Sequence, residues 1–182
     1  MRTLLPAALL LAACGADPVL FATPEVAPVQ RIGIAFGTVE VRDVTLPLYA
    51  ETEEIVIEGA GGALTPLDGA SWADDPQRAM TLELSEALAA LTSARVAAEP
   101  WPYDSFPAAF VAVRVSRFTA GADGRFRIAG QWHAGGRDGV RERSGRFAVA
   151  APFDPEGGGP AIAAARARAV NDLAAEIAQR GL

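Results

Sequence analysis

The sequence predicts an α/β fold: a mixed β-sheet with two main amphipathic helices packed on it and an antiparallel hairpin meander in the C-terminal half. Three observations support this prediction. Short apolar stretches alternate with a period of two, two longer segments repeat apolar residues at helical spacing, and glycine-containing turns separate the last three strands. With 182 residues the chain supports one domain of ordinary size. Two one-faced helices pack most economically on one sheet.

The first half of the folded chain is predicted to contain strands followed by a helix. Alternating apolar residues predict a strand that begins at Ile32 and continues towards Val44, and Ile55-Val56-Ile57 predicts another. Asp74-Asp75-Pro76 is a typical helix start, an Asx cap followed by a proline whose missing N–H costs nothing there. The apolar residues at one helical face are Met80, Leu84, Ala87, Leu88 and Leu91.

The second half is predicted to be a strand, a meander and a last helix. A strand near residues 95–98 precedes a proline- and aromatic-rich loop, and Val111, Val113 and Val115 alternate in the next strand. Asp123-Gly124 is a hairpin signal, and the returning strand leads through a glycine turn to a third strand. Gly157 to Pro160 opens a helix that Gly181 ends.

The N-terminus has the pattern of an export signal with a lipidation site. Arg2 precedes the apolar stretch from Leu4 to Leu11, which is too short to cross a membrane as a helix, and Leu11-Ala12-Ala13-Cys14 resembles a bacterial lipobox. Cys14 is the single cysteine. We therefore expect a signal peptide over residues 1–13 and acylation of Cys14. A plain signal peptide or a small buried cysteine is the alternative.

The chain after the signal divides into a tether and one domain. Residues 14–30 combine the lipidated Cys14 with a Pro/Ala-rich stretch of little periodicity, which predicts an extended tether. The remaining residues, 31–182, are predicted to form the single domain. Gly15 follows the cysteine where aspartate commonly retains such lipoproteins at the inner membrane, so we expect the periplasmic face of the outer membrane.

The composition argues against an enzyme. The chain has no lysine, and its one histidine, His133, lies on the polar face of a predicted strand. Without free thiols or a second histidine, no zinc site is expected. Asp74 and Asp75 are explained as helix-cap residues. The sequence thus predicts no catalytic residue, no metal and no cofactor, and the net charge of −6 argues against nucleic acid as a partner.

The charges are unevenly distributed along the chain. Residues 114–146 contain eight arginines and only three acidic residues, whereas residues 31–100 are strongly acidic. The simpler explanation of this excess is that a chain without lysine places arginine at its outward-facing strand positions. The functional interpretation is that this basic hairpin docks on an acidic surface, either anionic lipid or a neighbouring copy in a head-to-tail ring. The candidate contact residues are Arg125, Arg127, Arg141 and Arg143, and the candidate acidic docking patch is Glu51, Glu53 and Glu54.

A loop from Pro100 to Pro107 combines three prolines with three aromatic residues, Trp101, Tyr103 and Phe106. Its prolines exclude it from a sheet interior. The aromatic side chains either fold back over the core edge or contact a partner or lipid, a role for which tryptophan and tyrosine are well suited.

The pattern as a whole resembles the PqiC/YmbA-type lipoproteins, auxiliary subunits of ABC-type, MCE-domain lipid transport systems. The features that carry the resemblance are the lipobox Cys14, the segment from Val44 to Tyr49, Trp72 before the first helix, Pro100-Trp101, the strand from Val111 to Phe118, Trp132 and the Ala-rich last helix. Glu51-Thr52-Glu53-Glu54 stands where that family commonly has an Arg-Pro pair, and this departure concerns the details of partner docking.

The resemblance implies a non-catalytic subunit at the outer-membrane end of a periplasm-spanning lipid conduit, which docks an MCE-domain partner and helps lipid trafficking and membrane integrity. A second hypothesis from another class is a cell-envelope lipoprotein that positions or activates a peptidoglycan enzyme.

Overall fold

The computed structural model describes residues 17–27 and 30–182 and shows a mixed sheet covered on one face by two helices. Within these residues the sheet has eight strands: β1 (Val19–Phe21), β2 (Thr38–Val41), β3 (Glu54–Glu58), β4 (Leu64–Trp72), β5 (Arg95–Ala98), β6 (Ala109–Gly121), β7 (Arg125–Gly136) and β8 (Arg143–Pro152). The helices are α1 (Pro76–Leu91) and α2 (Gly158–Arg180). The α/β prediction is confirmed.

The long strand β6 organises the sheet. Along one side its first residues pair in parallel with β2, and its last residues pair in parallel with β3. Thr45 fills the gap between these two partners through a parallel bridge to Arg114. Along its other side β6 forms the antiparallel meander with β7 and β8. On one side of β6 the sheet therefore continues as two separate groups of strands, β2 with β5 and β3 with β4 and β1. On the other side it continues as the single meander of β7 and β8.

The helices begin and pack as their sequences predict. Asp75 caps α1 by accepting a hydrogen bond from the backbone N–H of Arg78 at 2.7 Å, and Pro76 occupies the first turn. The buried faces of both helices share one core with the inward side chains of the sheet, including Val111, Val113 and Trp132. Because both helices cover the same face, the opposite face of the meander is left to solvent.

The N-terminal segment differs from the expected tether. Val19–Phe21 pairs in parallel with Ala70–Trp72, so strand structure begins inside residues 14–30. Ile32, Ile34 and Phe36, expected in a strand, instead run past the helices, where Ile32 N–H donates to Leu91 O at 2.7 Å. Both differences have one cause: these segments contact elements distant in sequence, which local periodicity does not reveal.

Candidate functional site: the open sheet face

The solvent-exposed face of β6, β7 and β8, here called the open face, gathers most of the polar side chains of the meander. Successive residues of a strand point to opposite faces. On β7 the buried side chains that face the helices belong to Phe126, Ile128, Trp132 and Ala134, so Arg125, Arg127, Ala129, Gln131 and His133 point to the open face. Corresponding residues of β6 and β8 are set beside them by the strand pairing.

A basic depression lies in the middle of this face. Arg114 on β6, Gln131 on β7 and Arg146 on β8 are direct neighbours in the register. Both arginines line a depression of about 540 Å³. We call it the arginine trough; its lining residues are Arg114, Val115, Ser116, Ala129, Gly130, Gln131, Arg146, Phe147 and Ala148.

Nothing in the trough neutralises its two arginines. Of the described residues that line it, none is acidic, and across residues 17–27 and 30–182 no carboxylate oxygen lies within 4.0 Å of the Arg114 or Arg146 guanidinium. The other polar side chains that line it belong to Gln131 and Ser116. The trough therefore presents guanidinium, amide and hydroxyl groups without a nearby negative charge.

A β-bulge in β6 shapes the trough floor. The pairing of β6 with β7 shifts between Val115 and Arg117, and the Phe118 N–H donates to the Tyr49 hydroxyl at 3.0 Å. Opposite the bulge stands Gly130, where a Cβ would collide with the backbone oxygen of Arg114. Bulges re-aim side chains locally and often lie beside binding sites. Here the bulge and the glycine bring two strands close together beneath the arginine side chains.

The aromatic loop, residues 100–107, borders a second depression of about 580 Å³ beside β2 and the start of β6. The Trp101 indole N–H donates to Ser105 O at 2.6 Å, and its ring meets that of Tyr103 edge-on at 5.0 Å. Phe106 is 77% exposed, with the Arg137 guanidinium 4.3 Å from its ring centroid. The loop thus holds Trp101 in place and presents Tyr103 and Phe106 to solvent.

The four arginines singled out from the sequence do not form one cluster. Arg125 begins β7, whereas Arg143 begins β8 and pairs with Ala134, nine residues further along β7. Arg141 lies in the turn beside Arg143 and has a positive φ of 59°. The structure therefore places Arg125 and Arg127 at one end of the hairpin and Arg141 and Arg143 at the other.

Arg127 is also neutralised locally. Its guanidinium binds the Asp123 carboxylate through both terminal nitrogens, one of them at 2.9 Å. These hydrogen bonds hold the pKa of the Asp123 carboxyl below its usual value. The sheet instead brings together Arg114 and Arg146, two arginines that were not among the candidate contact residues of the sequence analysis. Counting strand register outward from the Asp123-Gly124 turn would not have found them, because the bulge in β6 shifts the pairing by one residue and such a count sets Arg114 opposite Trp132.

The three residues of the acidic patch are exposed; Glu51 and Glu53 lie in a loop, as expected, whereas Glu54 is the first residue of β3. The patch follows a short 3₁₀ turn, Leu48–Ala50, in which Leu48 is 82% exposed while Ala50 is buried. The Glu53 carbonyl oxygen accepts a hydrogen bond from the Trp72 N–H at 2.7 Å. The backbone of this patch is therefore fixed to β4 while its carboxylates face solvent.

On the helix side of the sheet, a buried ion pair joins α1 to α2. The Arg166 guanidinium is 3.0 Å from the Glu83 carboxylate, with the Arg166 side chain 1% and the Glu83 side chain 19% exposed. Burial raises the pKa of Glu83 and outweighs the opposing effect of Arg166. Residues 21–27 lie over this region and enclose cavities of about 180 and 350 Å³ against the helices.

The part of the chain that the structure describes has few clusters of side chains suited to catalysis or metal binding. It contains no group of three His, Cys, Asp or Glu residues arranged to hold a metal. His133 is exposed on the open face, beside Ala112 and Ser144 in the register. Cys14 lies outside the described residues. No helix among residues 17–27 and 30–182 is long and apolar enough to span a membrane.

Comparisons with known proteins identify the family. No curated protein matches the sequence. Among the crystal structures that share the fold is one of an uncharacterized protein, with a TM-score of 0.63 and 17% sequence identity over 90% of this chain and 97% of that protein. Another is that of protein XCC0632 from Xanthomonas campestris, of family DUF330, with a TM-score of 0.63 and 20% identity over 90% of this chain and 91% of that protein. Residues 20–178 match the family described as the ABC-type transport auxiliary lipoprotein component. This chain belongs to that family of ABC-type transport auxiliary lipoproteins.

Proposed function

We propose that this protein is a non-catalytic outer-membrane lipoprotein of an MCE/ABC-type lipid transport system, which docks a periplasm-spanning MCE-domain subunit. The family assignment supports the transport role. The observation that carries the docking proposal is the aromatic loop, where Phe106 and Tyr103 are 77% and 44% exposed beside cationic side chains. Exposed aromatic and arginine groups are typical anchors of protein interfaces.

The loop is suited to this role because it is ordered before a partner arrives. The Trp101 hydrogen bond to Ser105 and the edge-on contact with Tyr103 fix its conformation. Little conformational entropy is then lost when Phe106 enters a pocket of the partner. Arg95 and Arg137 lie against the rings of Tyr103 and Phe106, at 5.0 and 4.3 Å from their centroids.

The docking test compares Phe106→Ala with Leu48→Ala, a control that removes an equally exposed apolar side chain outside the loop. Each full-length variant is recovered from detergent-solubilised envelope, and the MCE-domain protein bound to it is quantified. An interface anchor is worth about 2 kcal/mol, so we expect Phe106→Ala to lower capture about 30-fold at unchanged melting temperature. Equal capture by both variants would overturn the docking role of the loop.

The alternative function, positioning of a peptidoglycan enzyme, is distinguished in the same experiment. Recovery of a penicillin-binding protein with no MCE-domain subunit would replace the transport proposal by this one. Hydrolytic turnover by the purified protein would contradict the non-catalytic proposal.

The anchor is a separate part of the proposal. We propose that Cys14 carries the acyl chains and holds the domain at the periplasmic face of the outer membrane. More than one acyl chain is needed for stable anchoring, at about 0.8 kcal/mol per buried methylene. Cys14→Ser should move the protein from the outer-membrane fraction to the soluble periplasmic fraction. Retention of that variant in the outer membrane would contradict the proposal.

A homo-oligomeric ring is proposed from charge complementarity between the acidic patch and the basic turn end of the β7–β8 hairpin. These surfaces are different, so contact between copies is head-to-tail, and such contacts close into rings when the rotation allows. Light scattering at low salt should show an oligomer that Arg141→Gln/Arg143→Gln dissociates. A monomer at low salt would overturn the ring.

A further inference from the structure

We propose that the arginine trough is a binding site for the phosphate group of a phosphate ester. Arg114 and Arg146 approach it from the two strands that flank Gln131. Neighbouring strands lie about 4.8 Å apart, so the two arginine Cα atoms are separated by roughly 10 Å. An arginine side chain is long enough for the two guanidinium groups to meet a small anion held above Gln131.

The chemistry of the lining favours an anion with several acceptor oxygens. Guanidinium groups donate only, and the Gln131 amide can also donate. The single hydroxyl hydrogen of Ser116 is donated to the Ala129 carbonyl at 3.2 Å, so the arginines and Gln131 are the donors for an anion. Two guanidinium groups match phosphate oxygens through paired, charge-assisted hydrogen bonds.

Arg114 and Arg146 lack a counter-charge, unlike two other arginines of the meander. Elsewhere on the hairpin Arg127 is bound by Asp123, and Arg117 is 3.3 Å from Glu58. By contrast, Arg114 and Arg146 have no carboxylate within 4.0 Å among the described residues. Like charges placed side by side on a rigid sheet repel each other, and a bound dianion would relieve this repulsion.

The shape of the site favours a compact group over an extended acidic peptide. Small residues, Ala129, Gly130 and Ala148, form the floor, and the trough of about 540 Å³ is large enough for a phosphate with a glycerol-sized substituent. The β6 bulge and its hydrogen bond from Phe118 N–H to Tyr49 hold this floor in place. The site is therefore formed before the ligand arrives.

The test measures binding to the full-length protein in an uncharged detergent by isothermal titration calorimetry. The probes are inorganic phosphate, glycerol 3-phosphate and dihexanoylphosphatidylglycerol. Arg114→Gln/Arg146→Gln removes the trough cations, and Arg125→Gln/Arg180→Gln is the control that removes the same charge from exposed positions outside the trough. We expect the trough variant to bind at least about tenfold more weakly and the control to bind like the unmodified protein.

Each outcome decides one point. Binding of all three probes supports a general phosphate site, and binding of dihexanoylphosphatidylglycerol alone supports a lipid headgroup as the source. Equal weakening in the control, no binding of any probe, or stronger binding of a hexaglutamate peptide would each overturn the proposal. The inference goes beyond partner docking and is tested apart from it: Phe106→Ala should leave phosphate binding intact, and the trough variant should still capture the MCE-domain subunit.

Discussion

Replacement of Arg166 by methionine tests the energetic role of the buried ion pair between α1 and α2. Arg166 is enclosed by the Glu83 carboxylate at 3.0 Å and by the rings of Trp72 and Phe118, whose centroids lie 4.6 and 5.2 Å from its guanidinium carbon. Methionine preserves much of the side-chain volume while it removes the charge. The single variant therefore leaves Glu83 without its counter-charge at a largely buried position.

The expected magnitude follows from opposing contributions. At 3.0 Å and an effective dielectric constant of about 20, the attraction between the two charges is roughly 5.5 kcal/mol. Desolvation costs several kcal/mol per ion, and Glu83 Oε2 and Arg166 Nε are buried without hydrogen-bond partners among the described residues. The intact pair is thus close to neutral, whereas loss of one partner costs about 3–5 kcal/mol.

A double-mutant cycle measures this coupling. Arg166→Met and Glu83→Leu are each expected to lower the free energy of unfolding by about 3–5 kcal/mol, and the double variant to be as stable as the parent or up to about 4 kcal/mol more stable. Urea unfolding followed by far-ultraviolet circular dichroism provides the free energies without relying on Trp72, which contacts Arg166. Additive losses in the double variant would refute the reasoning.

The same pair predicts a pH dependence. Burial raises the pKa of Glu83 above its ordinary value of 4.5, so the folded state holds a proton more tightly than the unfolded state. The stabilisation from this group is complete below pH 4.5 and is lost as pH rises through the raised pKa of the folded state. In Glu83→Gln this contribution to the pH slope of unfolding should disappear. An unchanged slope would contradict the assignment to Glu83.

Three further substitutions test local packing, each by the free energy of urea unfolding. Gly145→Ala should cost about 1–3 kcal/mol, because its Cβ would lie 2.6 Å from the buried Trp132 ring; a neutral result would show that the ring can move. Thr81→Val should cost about 1–3 kcal/mol, because the buried Val44 N–H loses its acceptor at 3.0 Å; no loss would contradict that hydrogen bond. Phe21→Ala should cost about 1–2 kcal/mol if β1 belongs to the folded domain, and no loss would restore the tether.

The helices and the meander were predictable because their signals are local. The Asp75 cap, Pro76 and the spacing of Met80, Leu84 and Leu88 fix the start and buried face of α1 within a few turns of chain. Likewise Asp123-Gly124 brings β6 and β7 together as neighbours, with Gly124 at a positive φ of 74°. These features need no knowledge of distant residues.

Long-range pairing was not predictable in the same way. Val19–Phe21 has only three residues, and it becomes a strand because β4 offers an edge more than forty residues away. The buried position of Arg166 is equally hidden, because a helical arginine usually faces solvent. Its burial depends on Glu83 of the other helix and on two aromatic rings from the sheet. Such contacts exist only once the layers have assembled.

Counting charges along the sequence predicts a basic surface but does not locate the arginine trough. The excess of arginine between residues 114 and 146 indicated a basic surface, but total charge does not say which cations are paired. Register supplies that information: it sets Arg127 beside the Asp123 turn and aligns Arg114 with Arg146 across Gln131. A cation without a partner on a rigid sheet keeps its full capacity to bind an anion. Because Arg114 and Arg146 line one depression that has no acidic residue among its lining, the centre of the meander, rather than its more arginine-rich ends, is the surface where a phosphate group gains most.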